Sequence, residues 1–177
     1  GKILLVFPTH SFEDCDDLYD FNQFSQCIDE MAKDYDTVLI SMIGYDIQQG
    51  FDKKYRNKGY RIVSSGTRND PYFLNRQRDL MELADMTISN NIGTHIGYSI
   101  CLGTPHYIFN QDITSIKKAA SAQASDHLQA IRDREYAEIK AVFNSREPII
   151  TPEQIAVVKK YWGPFEIKPK FYANTQE

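Results

Sequence analysis

Asn90-Asn91-Ile92-Gly93-Thr94-His95-Ile96-Gly97 is the stretch of this chain best equipped for chemistry. It joins a short apolar run, Met86-Thr87-Ile88-Ser89, to a segment of helical spacing that stops at Gly103. A helix N-terminus presents unsatisfied backbone N–H groups and the positive end of the helix dipole, and together these favour a phosphate. Gly93 allows close backbone approach, Thr94 adds a hydroxyl that can also cap, and Gly97 keeps the helix close to a neighbour or a ligand. The bland alternative is a capped core helix without a ligand, because strand–glycine–helix junctions are common structural devices.

Two histidines stand beside this chemistry. His10 follows an apolar run and a Pro-Thr turn, which exposes it where acid–base work or phosphate binding is open to it; a surface loop histidine is the plain alternative. His95 lies early in the helix, within reach of a phosphate or simply in solvent. His106 reads as structural and His127 as solvated. Arg68 sits in a loop able to pair with a phosphate or stack on a base. The acids Glu13, Asp14, Asp16 and Asp17 read as the first turn of a helix rather than a metal site.

The elements that must carry these residues follow from periodicity. Ile3-Leu4-Leu5-Val6-Phe7, Thr37 to Met42, Tyr60 to Ser64, Met86 to Ser89 and Pro105 to Phe109 are apolar, β-rich runs of the kind found in sheets covered on both faces. Between them, Asp16 to Asp34, Gln48 to Lys58, Leu74 to Ala84 and Thr94 to Leu102 read as helical. From Ile116 on the strands cease; Ala119 to Phe143 reads as helix, as does Pro152 to Trp162 behind Thr151 as its cap. The pattern predicts an α/β fold, a Rossmann-like, doubly wound parallel sheet of about five to six strands with C-terminal helices. Residues 1–150 form the expected nucleotide-sugar-binding sheet domain and 151–177 a terminal helix and tail expected to pack on a missing N-terminal domain, with Tyr161 and Trp162 as packing anchors. In such sheets ligands lie beyond the carboxyl ends of the strands, so the loops after Phe7, Ser64, Ser89 and Phe109 should gather on one edge.

Composition narrows the partners. At 177 residues the chain can bury one sizeable core, and its net charge of −4 with a pI near 5.6 removes the electrostatic case for nucleic acid. A phosphate would be held by local donors. Three cysteines without metal-like spacing suit a reducing compartment, and cytoplasmic localisation is the expectation. Gly1-Lys2 runs straight into a strand with no initiator Met, which reads as a fragment cut at a domain boundary or a tag scar.

The stretch from Leu80 to Pro105, a helix ending in Ala84-Asp85, an apolar strand, a small polar turn, a helix and then Gly103-Thr104-Pro105, resembles the C-terminal half of GT-B fold glycosyltransferases. The related non-hydrolysing UDP-GlcNAc 2-epimerases show it too, and their half also opens on an apolar strand followed by a small residue and His, similar to Thr9-His10. The resemblance covers roughly residues 2 to 112. It implies that Asn91, Gly93, Thr94 and His95 hold a donor diphosphate, that Gly66 and Arg68 lie beside the nucleobase, and that Thr9, His10 and Glu13 face the cleft. His10 and His95 are then the catalytic candidates. The epimerases follow their His with Arg and later Glu, where this chain has Ser11-Phe12-Glu13, and their Ser-Gly-Gly turn is replaced by Asn91-Ile92-Gly93-Thr94-His95. Those departures favour the transferase. No acid occurs between Asp85 and Asp112 to take a ribose.

The resulting expectation is the donor-binding domain of a glycosyltransferase, inactive alone, moving a sugar from a nucleoside-diphosphate sugar to an acceptor in bacterial surface-polysaccharide synthesis. No cofactor or metal is called for; the nucleotide sugar is the substrate. A missing N-terminal domain would supply the acceptor side and any peripheral membrane association. The alternatives are an epimerase half-domain and a non-catalytic nucleotide-binding or interaction module. A receiver domain is excluded, since Phe7 leads to Pro8-Thr9-His10 instead of paired acids, and Phe109 to Asn110-Gln111 instead of Lys.

Overall fold

A computed structural model describes residues 1–11, 15–67, 69–117 and 126–170, with backbone only for 117 and 126–129. Five strands, β1 (Ile3–Phe7), β3 (Thr37–Ser41), β4 (Arg61–Val63), β5 (Met86–Ser89) and β6 (His106–Ile108), form one sheet in the order β4-β3-β1-β5-β6. Every neighbouring pair is parallel. The expected Rossmann-like α/β class therefore holds, with five strands.

Period-two alternation in β1 builds the two faces. Leu4 and Val6 point to a cluster with Phe24, Cys27, Ile28 and Met31 of α1 (Phe21–Met31), whose spacing of three and four makes one apolar stripe. Leu5 and Phe7 point the other way, onto Met81 of α4 (Phe73–Leu83) and Leu102. Leu4, Leu5 and Val6 have no exposed surface, as expected of a central strand covered on both sides.

Two expectations need correction. Asp16 to Asp34 is not one helix: Cys15–Tyr19 is a strand, β2, and α1 starts only after Asp20, whose carboxylate caps it by accepting the Gln23 N–H at 3.0 Å. Nor do strands cease from Ile116 on. Ile113–Lys117 is a strand, β7, antiparallel to β2 in a separate two-stranded ribbon. Local propensity favours neither assignment for the Asp-rich β2; pairing with β7 imposes it. Gln48 to Lys58 likewise becomes two short helices, α2 (Gly44–Gln48) and α3 (Lys53–Arg56), parted at Gly50.

α5 (Thr94–Cys101) connects β5 to β6 and ends as expected at Gly103, whose φ of +71° is open to glycine at little cost. α6 (Asp126–Val142) is followed by α7 (Pro152–Trp162), where Thr151 and Gln154 form a reciprocal capping box. α7 packs back on the sheet domain, where Val157 and Val158 meet Ile96 and Ile100 of α5, Ile139 of α6 and Phe143 just after it.

Gly97 explains how closely α5 and α7 approach. A Cβ there would stand 2.8 Å from Cγ and 3.2 Å from Cβ of Trp162, atoms at the root of that side chain. Gly97→Ala gains roughly 1 kcal/mol of helix propensity against that clash, so a larger group separates the two effects. Gly97→Val is expected to cost about 2 kcal/mol. Urea unfolding measures it, and a variant as stable as the parent would contradict the packing.

Candidate functional site

The sheet order places the topological switch point between β1 and β5: the chain leaves β1 for β3 by way of α1 on one face and leaves β5 for β6 by way of α5 on the other. The crevice beyond these two strand ends is where open α/β sheets take ligands. Thr9 and Asn90 tie its floor. The Thr9 N–H and hydroxyl both donate to Asn90 Oδ1, at 2.6 and 3.1 Å. Asn90 is 1% exposed, and its Nδ2 is buried without a hydrogen-bond partner among the described residues. A buried amide donor left open is costly, so its place at the switch point is the strongest local sign of an absent acceptor.

Asn91, in the expected phosphate turn, instead shapes the turn itself. Its Oδ1 accepts the Ile92 N–H at 2.8 Å and its carbonyl accepts the Ser89 hydroxyl at 2.7 Å. Gly93 is the N-cap of α5, with no side-chain cap on the helix. The Ile96 N–H is taken by the Gly93 carbonyl at 3.2 Å, so the Thr94 and His95 N–H groups are those left for another partner, and Thr94 stands exposed beside them.

His95 turns inward from this terminus. Its ring stacks on Phe7 at 4.9 Å and lies 5.4 Å from His106. A Cβ on Gly93 would meet that ring at 2.8 Å, so this glycine makes room for His95. Burial, with the neighbouring His10 charge, pushes the His95 pKa down to about 3 against a weaker opposing hydrogen bond that the ring donates to the Asn91 backbone. Its shielded Nε2 has no partner among the described residues. His95 is thus a neutral imidazole near neutral pH, suited to hydrogen bonding rather than to carrying charge. His106 is structural, as expected. It is 1% exposed, bonded at Nδ1 to the Thr87 hydroxyl (2.7 Å) and at Nε2 to that of Ser89 (3.1 Å), and burial pushes its pKa well below the usual value.

His10 is half-buried at the end of β1, close enough to influence His95. The structure thus brings Thr9, His10, Gly93, Thr94 and His95 together. Gly66 stands apart, after β4, three strand spacings or about 14 Å from β5. Its carbonyl accepts the Gly44 N–H at 3.2 Å, and the Arg76–Asp70 ion pair packs over it. Glu13 and Arg68 lie outside the described residues. Asp16 and Asp17 belong to β2, and the described residues contain no acid, His and Cys group able to hold a metal.

Beside the crevice, sequence reasoning missed a buried carboxylate. Asp46, on α2, is 2% exposed, accepts the Ser11 N–H at 3.2 Å and lines a cavity of about 90 Å³ with Thr9, Tyr19 and Lys54. Burial pushes its carboxyl up to about 6, against the Ser11 bond and the Lys54 charge. The Lys54 ammonium rests over the Tyr19 ring at 4.4 Å and the Phe21 ring at 5.0 Å, and burial lowers its pKa.

These elements together define a Rossmann-like parallel α/β domain. Compared with family models, curated proteins and solved structures, the chain matches none of them. Among the described residues no helix is long and apolar enough to cross a membrane.

Proposed function

We propose that the domain binds the nucleoside-diphosphate sugar of a glycosyl transfer, with the diphosphate at the switch-point crevice. The observation that carries this reading is the unpartnered Asn90 amide beside the α5 N-terminus, which no side chain caps. Both offer N–H donors, and the chain needs such local donors because its net charge of −4 gives a phosphate no general attraction. Thr94 adds a hydroxyl. In the reaction the anomeric C–O bond to the diphosphate breaks, a C–O bond to an acceptor oxygen forms, and the acceptor hydroxyl proton passes to a base. The departing diphosphate gains charge as that bond breaks, and the oriented N–H groups of α5 stabilise it. The acceptor and its base come from a second domain, in bacterial surface-polysaccharide assembly, as the resemblance implies. The base of the nucleotide would extend from the β5 end towards Gly66.

Calorimetric titration with UDP, GDP, CMP and inorganic phosphate tests the reading. One nucleoside diphosphate is expected to saturate a single site, with phosphate weaker. Asn90→Asp keeps an acceptor for the Thr9 N–H but replaces the open donor with an oxygen that repels phosphate. It is expected to weaken binding by about tenfold or more while the chain stays folded. A folded parent chain that ignores all four ligands at millimolar concentration would overturn the reading.

A further inference from the structure

The Asp46 cavity has no part in the chemistry assigned so far, and its composition is unusual for packing alone. A carboxylate that is 2% exposed and a lysine line it together with Thr9 and Ser11. Tyr19 and Phe51 contribute aromatic walls. β2, the strand imposed by its pairing with β7, supplies the Tyr19 side, and α2 and α3 supply Asp46 and Lys54.

The lining selects its ligand by elimination. A phosphate there would face the Asp46 and Asp17 carboxylates, and a cation would face the Lys54 ammonium. An apolar group would strip both charges of water with nothing in return. A neutral group rich in hydroxyls meets every demand: it donates to the carboxylate, accepts from the ammonium, and lays its C–H face on an aromatic wall. At about 15 Å³ per water-sized group the cavity has room for roughly six of them, the scale of one edge of a sugar ring and less than a nucleotide. Its position fits as well, because Thr9 lines the cavity while its N–H and hydroxyl hold Asn90 at the switch point.

We propose that this cavity receives the sugar of the donor, with Asp46 accepting from ring hydroxyls and Lys54 donating to them. The inference rests on the donor-binding reading and adds to it the subsite that distinguishes a nucleotide sugar from a bare nucleotide.

Isothermal titration of the full chain separates the two ideas. The ligands are UDP, UDP-glucose, UDP-N-acetylglucosamine, GDP, GDP-mannose, CMP and CMP-N-acetylneuraminate, each on the parent, Asp46→Asn and Lys54→Met. The preferred nucleotide should bind about tenfold more tightly as its sugar conjugate. Both variants should reduce that increment to less than about twofold while leaving the affinity for the bare nucleotide within about twofold. Asp46→Asn keeps an oxygen for the Ser11 N–H; should it fail to fold, Lys54→Met, on a half-buried side chain, decides the matter. A nucleotide that binds with no gain from its sugar, or a gain that survives in the folded variants, overturns the sugar subsite and leaves the donor reading standing. Silence of the folded parent towards every ligand overturns both.

Discussion

Phe143→Ala is expected to cost the domain about 3–5 kcal/mol, the largest effect of any single substitution considered. Phe143 has no exposed surface and sits where Ile96 and Ile100 of α5, Ile108 of β6, Ile139 of α6 and Val157 and Val158 of α7 converge. Its ring also meets His106 edge-on at 6.0 Å. Truncation removes this burial and leaves a cavity bounded by three helices, which cannot all collapse into it. A loss of that size is a large share of the roughly 5–15 kcal/mol that stabilises a domain. The consequence reaches the crevice because α5 carries the N–H groups at its mouth. Chemical denaturation gives the stability change directly, and a loss below about 1 kcal/mol would contradict the packing of α5, α6 and α7 around this ring.

Acidification from pH 6 to pH 4 is the second large effect. His95, with its pKa held at about 3, stays neutral in the fold across this window, and His106 is held well below the usual value; both take up protons more readily once unfolded, below about 6.5. His95 therefore removes about 1.4 kcal/mol of stability per pH unit as pH falls through this window, and His106 acts in the same direction. Asp46 acts in the opposite sense. Its folded pKa of about 6 lies above the ordinary 3.8, so the fold gains one proton that the unfolded chain does not. Two histidine losses outweigh the one gain, so stability falls as pH drops across the window. The ion-paired carboxylates Asp29, Glu30, Asp52, Asp70 and Glu138 have lowered pKa values and begin to add to the loss as pH falls through the ordinary carboxylate range, at the acid end of the window. There is a structural reason for the histidine cost: a neutral His106 ring donates through one nitrogen and accepts through the other, whereas a protonated ring donates through both. Ser89, whose proton goes to the Asn91 carbonyl, accepts from the ring in either state, so the Thr87 hydroxyl must then turn from donor to acceptor. Urea midpoints at pH 7, 6, 5 and 4 measure the slope; stability that stays level or rises towards pH 4 would contradict two neutral buried histidines.

The parallel sheet was legible because its strands are buried on both faces. Met86-Thr87-Ile88-Ser89 and Pro152 to Trp162 appear in the structure with the bounds read from the sequence, since one is a continuous buried run and the other carries its own capping box. The ribbon of β2 and β7 was not legible. Cys15-Asp16-Asp17-Leu18-Tyr19 has acids where a helix N-terminus would have them, and its strand conformation depends on a partner about a hundred residues away. The crevice was half legible. Topology alone brings Thr9 and His10 to Gly93 and Thr94, but the choice between Asn90 and Asn91 turns on which side chain faces β1 as the strand ends. The inward turn of His95 depends on the Phe7 ring, and the sequence offers no sign of that contact. Asp46 and Lys54 were hidden for another reason. They sit eight residues apart on helices of five and four residues in a polar stretch, too short for any periodicity to register. Only the packing of β2 over them makes a site.

The most direct test of donor binding at the switch point is a two-dimensional ¹⁵N NMR titration of the chain with the preferred nucleoside diphosphate. Saturable shifts are expected at the Thr9, Thr94 and His95 amides and at the Asn90 side-chain NH₂, with Asn57 and other distant amides unmoved. Shifts that never saturate, or that fall elsewhere on the domain while the Asn90 NH₂ stays still, would contradict it.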